Sequence, residues 1–292
     1  MAVRAPPPAT SVVEAAAGVE VDMASMVPAG RSARRYGAAV RALLPEPGPV
    51  DPVAAHAAIA RPAPDGRPWV AMNMVASLDG AIAVEGVSHA LSSPADKEVF
   101  GALRGVADVI LVAAGTARAE RYRLPRPSPE RQTERRARGQ APFPRMAVVS
   151  ATLDLDPAGS LFTDLPVGFE PSERPFVYTV TDAPEPRRRQ LAPVAEVVDV
   201  GTGSASLTTL LADLHGRGVA MVLAEGGPTL VGHLLAAGLV DELDLTIAPL
   251  LVGGEGLRMV HGAPAQLAAM TMAHLWEADG FLFTRYVRSA NR

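Results

Sequence analysis

The chain contains no cysteine. That excludes disulfides, thiolate zinc sites, iron–sulfur clusters and a cysteine nucleophile. Aromatic residues are scarce, at 4%, so stacking platforms for single-stranded nucleic acid have little to be built from. A net charge of -4 gives no electrostatic reason to expect nucleic acid either. Long apolar runs are missing, since no stretch approaches the ~18 residues that span a bilayer. At the N-terminus, MAVRAPPPATSVVEAAAGVEV sets one Arg before a proline run, with no apolar signal-peptide core behind it. Among the histidines there is no His-x-x-x-His pair, and His89, His215, His233 and His261 fall in different segments, so no metal site is expected. These absences point to a soluble, cytoplasmic protein without nucleic acid or membrane as partner.

What is present suffices for a sizeable core: 48% of the 292 residues are apolar. Residues 1–40 are rich in Ala, Pro and Arg without a sustained period, and prolines interrupt 41–66 around one short helical stretch at 51–60. The expectation is a largely disordered leader over 1–66 and a folded domain over 67–290. Within that domain, strands are predicted at 69–76, 106–114, 145–150, 175–180, 195–200, 219–224, 243–252 and 281–287. Helices are predicted at 93–105, 206–218 and 227–237. The first has Ser93 as N-cap, Pro94 at the first helical position and Gly105 as the stop. Residues 121–144, with five prolines and many Arg and Glu, read as a solvated loop with room for one helical turn. Apolar strands separated by helices predict an α/β sheet covered on both faces. Its ligands should collect where strands end: after Ala76, Ala114, Ser150, Val200 and Ala224.

Three of those loops carry residues suited to chemistry. Glu225-Gly226-Gly227-Pro228-Thr229-Leu230 follows a strand directly. Its glycines let a ligand approach the main chain, the next helix start favours a phosphate, and Glu225 can hold a polar group. The same residues also fit a plain strand-to-helix turn. Gly115-Thr116, with Arg118 and Glu120 behind it, suits phosphate or ribose, or an ordinary helix start. Ser77-Leu78-Asp79-Gly80 is a turn, with or without a ligand surface. Gly201-Thr202-Gly203 imitates a dinucleotide fingerprint but lacks the third glycine, and Ser204-Ala205-Ser206 reads better as a helix cap. Asp241-Glu242 reads as a solvated charged turn.

Taken in order, Ser77-Leu78-Asp79-Gly80, Ala107-Asp108-Val109-Ile110-Leu111-Val112 with Gly115-Thr116, Glu225 to Leu230, Val240-Asp241-Glu242-Leu243 and Val252-Gly253-Gly254 resemble the reductase domain of riboflavin biosynthesis, across 69–287. The resemblance is closest to stand-alone actinobacterial-type pyrimidine reductases. It implies a dihydrofolate-reductase-like fold, a mixed sheet flanked by helices. It implies NADPH as hydride donor, a homodimer, and a phosphoribosylated pyrimidine, 5-amino-6-(5-phosphoribosylamino)uracil, as substrate. The zinc deaminase often fused to this domain needs cysteine ligands, which this chain lacks. By the same resemblance Ala76, Gly115, Thr116, Glu120, Ser150, Gly226, Gly227, Pro228, Thr229 and Leu230 face the cofactor. Ser88, Arg104, Leu124, Arg126 and Glu225 face the substrate, with Arg104 gripping its phosphate. Glu225 and Asp79 are the candidates for assisting proton transfer. The sequence departs from the pattern in three places: Ala90 stands where the fused enzymes carry Trp, Arg126 lies one residue early, and no Arg follows Ser150 to clamp a 2′-phosphate. A same-fold reductase of dihydrofolate or another pteridine-like ring, and a non-catalytic nucleotide-binding protein, stay open beside this assignment.

Overall fold

The computed structural model describes residues 39–289. Eleven strands form one sheet in the order β2-β1-β10-β11-β9-β3-β8-β4-β5-β6-β7. Along the chain come β1 (Arg41–Leu44), β2 (Gly48–Pro49), α1 (Pro52–Ala58), β3 (Trp69–Ser77), α2 (Pro94–Val106), β4 (Val109–Ala113) and α3 (Ala114–Ala119). Then follow α4 (Pro129–Ala137), β5 (Arg145–Val149), α5 (Ser160–Thr163), β6 (Phe176–Thr179), α6 (Glu185–Leu191) and β7 (Glu196–Asp199). The chain closes with α7 (Leu207–Gly216), β8 (Met221–Ala224), α8 (Pro228–Ala236), β9 (Glu242–Ala248), β10 (Met270–Ala278) and β11 (Phe281–Arg288).

The strands from β9 through β3, β8, β4, β5 and β6 to β7 run parallel. On the other side β11, β10, β1 and β2 add antiparallel neighbours. The expected mixed sheet is therefore present. Alternation divides each inner strand between two cores. On β4, Val109 and Leu111 join Leu207, Leu210, Leu211 and Leu214 of α7 and Leu230 and Leu234 of α8. Ile110 and Val112 face Leu124, Leu153, Leu161 and Leu191. Ser93 caps α2 by accepting from Asp96 N at 3.1 Å, with Pro94 at the first helical position. Ser206 caps α7 likewise, at 3.2 Å from Thr209 N. Among the described residues no helix is long and apolar enough to cross a membrane.

Three sequence expectations need correction. The boundary at 66/67 is too late: β1 pairs with β10, Val40 is 2% exposed, and α1 is capped by Asp51, so order begins before residue 67. The expectation for residues 1–38 lies outside the described residues. Residues 121–144 hold α4, nine residues long, rather than a single turn. It shows no apolar stripe because its one buried residue is Arg135, whose guanidinium donates to the carbonyls of Ala141, Gly105 and Ala107 at 2.8–3.0 Å. The strand β10 was not foreseen, since the only large apolar side chain it buries is Trp276, beside the polar His274.

Candidate active site

The neighbours β3, β8 and β4 are parallel and in step, with Ala224 opposite both Met72 and Leu111. Their carboxyl ends open into a cleft of ≈760 Å³. Glu225, one residue past β8, lies at its floor with its side chain 2% exposed. Arg104, in the last turn of α2, meets it with a fork: Nε donates to Oε1 and Nη2 to Oε2, both at 2.7 Å. Tyr122 Oη donates to Oε2 at 2.7 Å as well. The guanidinium also stacks on Phe100, 4.2 Å from the ring centroid. Burial works against the charge on Arg104, but the Glu225 carboxylate more than offsets it and raises its pKa. Burial first, and then the same carboxylate, push the Tyr122 phenol well above its ordinary range. The result is an anchored carboxylate with a charge-assisted partner.

Beside it, Gly226 and Gly227 are joined by a cis peptide, and Gly226 has φ +93°, a region that favours glycine. The Gly226 carbonyl accepts from Ala113 N at 2.9 Å, which pins this turn to the start of α3. A Cβ on Gly227 would overlap Thr116 Oγ1, so the two strand-end loops meet where both can face one ligand. No side chain caps α8, which leaves backbone N–H groups at its start for an anion. Glu120 accepts from Ser88 N at 2.7 Å and ties the 86–88 turn to the end of α3.

The structure brings Gly115, Thr116, Glu120, Gly226, Gly227 and Pro228 to the cleft wall, and with them Ser88, Arg104, Leu124, Arg126 and Glu225. Ala76, Ser150, Thr229 and Leu230 do not line it. Leu230 is 5% exposed and belongs to the core, so only its backbone can face a ligand. Ser150 is buried at the end of β5, its N–H donating to Tyr178 O at 2.9 Å. Arg104 is not a free fork for a phosphate, because Nε and Nη2 are already engaged by Glu225. Asp79 also lies off the cleft. It accepts from Ser77 Oγ, from Gly253 N at 2.7 Å and from Val252 N at 3.1 Å, and these bonds hold its carboxyl down at about 2. Such a group is a poor proton donor, and its work is to fasten the 249–269 segment. That segment is tied again by His261 N to Pro228 O at 3.1 Å and by Gln266 Nε2 to Leu235 O at 2.6 Å. Between the ties, Leu257 overhangs the cleft.

Sequence reasoning passed over Tyr122 and Phe100, which complete the setting of Glu225. Tyr122 was submerged in a stretch that reads as solvated loop. Asp241 and Glu242 are buried rather than solvated. Asp241 takes Arg67, with Nη2 at 2.7 Å from Oδ1, and Glu242 takes Arg61, Arg285 and Trp69 Nε1. The expectation of no histidine cluster also fails. His56, Asp244 and His274, far apart in sequence, come together with ligand atoms within 4.8 Å of one another.

The chain matches the family model described as the RibD C-terminal domain over residues 68–280. It is 33% identical over 189 residues to the 2,5-diamino-6-ribosylamino-4(3H)-pyrimidinone 5′-phosphate reductase of Archaeoglobus fulgidus, covering 64% of this chain and 83% of that one. The protein of the same name from Methanothermobacter thermautotrophicus is 34% identical over 193 residues, covering 66% and 82%. A solved pyrimidine reductase-like protein from Corynebacterium diphtheriae superposes with a TM-score of 0.69 at 26% identity, over 77% of this chain and 93% of that one. The chain belongs to the RibD C-terminal domain family, and it is an oxidoreductase.

Proposed function

We propose that the chain is a pyrimidine reductase of riboflavin biosynthesis, which reduces the ribosyl group of a phosphoribosylated aminopyrimidine to a ribityl chain with NADPH. The observation that carries the reading is the anchored Glu225, set beside the Gly226-Gly227 turn in a cleft large enough for two ligands. The fit of a dinucleotide rests on three features: the uncapped start of α8, the bare Gly227, and the Thr116 hydroxyl against it. When bound, the nicotinamide supplies a hydride to ribose C1′ of the ring-opened imine, and a proton reaches the nitrogen.

The protein's own share is positioning, which lowers such barriers by roughly 7–11 kcal/mol when geometry is right. Glu225, held between Arg104 and Tyr122, serves as an acceptor for an N–H or O–H of the pyrimidine or its ribosyl chain. The substrate phosphate then needs another place than the Arg104 fork. A side hollow of ≈350 Å³ opens next to the cleft, lined among others by Lys97, Arg126 and Arg131. Preference for NADPH over NADH is supported by Arg118 and Arg187. These reach the segment after Ser150 from α3 and α6; they are about half exposed and share the single carboxylate of Asp154, so the group keeps a net positive charge that the local sequence lacks. The reading includes a cytoplasmic homodimer with a small-molecule substrate and no nucleic acid or membrane partner.

Two substrates are in question. The motifs resemble reductases of 5-amino-6-(5-phosphoribosylamino)uracil, while the archaeal relatives are named for the 2,5-diamino pyrimidinone. The deciding experiment follows loss of absorbance at 340 nm with each pyrimidine, with dihydrofolate as control, and with NADPH and NADH in turn. Turnover of one pyrimidine with NADPH is expected. Reduction of dihydrofolate alone, or nucleotide binding without turnover of any of the three, overturns the reading.

A further inference from the structure

Away from the cleft, a row of polar side chains crosses the sheet. Register places Asn73 of β3 opposite Asp244 of β9, Asp244 opposite Arg285 of β11, and Arg285 opposite His274 of β10. All four therefore share one face. His56, from α1, covers that face, with its ring centroid 5.7 Å from that of His274. The cluster is buried and incompletely paired: Asp244 is 5% exposed and His56 1%, and neither Oδ1 nor Oδ2 of Asp244, nor Nε2 of His56, has a hydrogen-bond donor or acceptor from the protein. Buried polar atoms without partners are rare and call for a bound group.

We propose that His56, Asp244 and His274 form a site for one divalent transition-metal ion, of the zinc class, that clips α1 to the sheet. Two imidazoles and one carboxylate suit zinc, with water completing four-coordination. Four-coordinate zinc holds its donors ~3.3 Å apart at bond lengths near 2 Å. Ligand atoms within 4.8 Å of one another reach that by small side-chain rotations. Burial, chiefly, keeps both imidazoles neutral, with His56 lowered to about 3 and His274 to about 4, so both offer lone pairs at neutral pH. The neighbouring cations point elsewhere. Arg61 and Arg285 both turn to Glu242, at 2.8 and 2.9 Å, so neither guanidinium occupies the Asp244 oxygens; burial raises the Asp244 pKa, and the ion would take the place of that proton. One contact must open. Arg61 Nη2 lies 3.3 Å from His56 Nδ1, which takes a proton when Nε2 takes the metal; Arg61 retains Glu242 and the His56 carbonyl.

The rival is a metal-free polar network in which Asp244 is protonated. The full chain, stripped with chelator and dialysed, separates the two. One zinc per chain is expected by elemental analysis after reloading. Cobalt should give visible d–d absorption. Zinc at about 100 times its Kd should raise Tm by on the order of 5 °C and slow hydrogen exchange in Pro52–Ala58. Asp244→Asn, nearly isosteric and without the lone charge, should fold at least as well yet lose all four responses. His274→Ala should lose them too, and each variant is checked for folding by circular dichroism. A folded wild-type chain with no stoichiometric metal and no Tm response overturns the proposal in favour of the proton. So does an Asp244→Asn chain that still binds one zinc.

Discussion

Two carboxylates, both buried, stand in contrasting surroundings. Glu225 sits just past the end of β8, where a helix terminus and a loop can bring donors to it, and it collects three hydrogen bonds from Arg104 and Tyr122. Asp244 sits in mid-strand, with its neighbours fixed by register, and the guanidinium opposite it is drawn to Glu242 instead. The first is satisfied by the protein and presents a ready surface to a ligand. The second is left for something else to satisfy. Burial alone thus says little about a carboxylate's role; what decides is whether the local chain path lets donors arrive.

Removing a partner from the satisfied group sharpens the contrast most. Arg104→Ala leaves the buried Glu225 with the Tyr122 hydroxyl but without its cation, and breaking such a pair costs roughly 3 kcal/mol or more. Arg104 keeps a side-chain exposure of 25%, so the lower end applies. Urea denaturation should show this loss, with Arg104→Lys restoring part of it. An unchanged midpoint would mean that Glu225 is held by Tyr122 alone.

Acid tests the other cluster. His56 and His274 are depressed in the folded state, to about 3 and about 4, below an unfolded value of 6.5. Unfolding then takes up protons between those values, so stability is full above pH 6.5 and falls as pH drops towards 4. In chelator the loss from pH 6.5 to 5 should be about 1.5 kcal/mol per histidine. His56→Gln should remove its share. Asp244 has the opposite sign: burial raises its pKa, so it costs stability at neutral pH and ceases to do so in acid. A profile that stays flat over this range in Asp244→Asn, where the opposing carboxyl is gone, would show that the histidines are already charged or solvated.

The smallest expected effect is that of Tyr122→Phe. One of three hydrogen bonds to Glu225 goes, for about 1 kcal/mol. On the proposed function, substrate KM should rise several-fold while cofactor binding is unchanged, because the phenol touches Glu225 and not the glycine turn. An equal loss for both ligands would place Tyr122 in the cofactor's half of the cleft.

Much of the parallel half was legible, because buried strands such as Val109–Ala113 and Met221–Ala224 are continuous apolar runs and Ser93 and Ser206 are readable caps. The cleft loops after β4 and β8 were legible for the same reason: glycines follow the strands at once. In the antiparallel half β11 was legible at 281–287, but β1, β2 and β10 were not. On the buried face of β10, His274 stands in line with Trp276 and Ala278 and interrupts the apolar alternation that marks a strand. Its contacts run across roughly 200 residues, as between His56 and His274. Helix α4 was hidden in the same way, by an arginine where a leucine would have announced it. Arg104 shows the limit within the site itself: its place in the cleft followed from its motif, but the partner of its fork did not.

The segment after β9 is fastened near Gly253 by Asp79 and near His261 by α8, while Leu257 between them leans over the cleft. It works as a span hung from two fixed posts, and the number of residues between the posts sets the height of the roof. Lengthening or shortening Gly254 to Arg258 by one residue alters the size of molecule admitted. The posts, the glycine turn and the Glu225 anchor are left where they stand. Selection by size and the chemistry at the floor are therefore separately adjustable, and substrate range can drift in this chain without disturbing the groups that do the work.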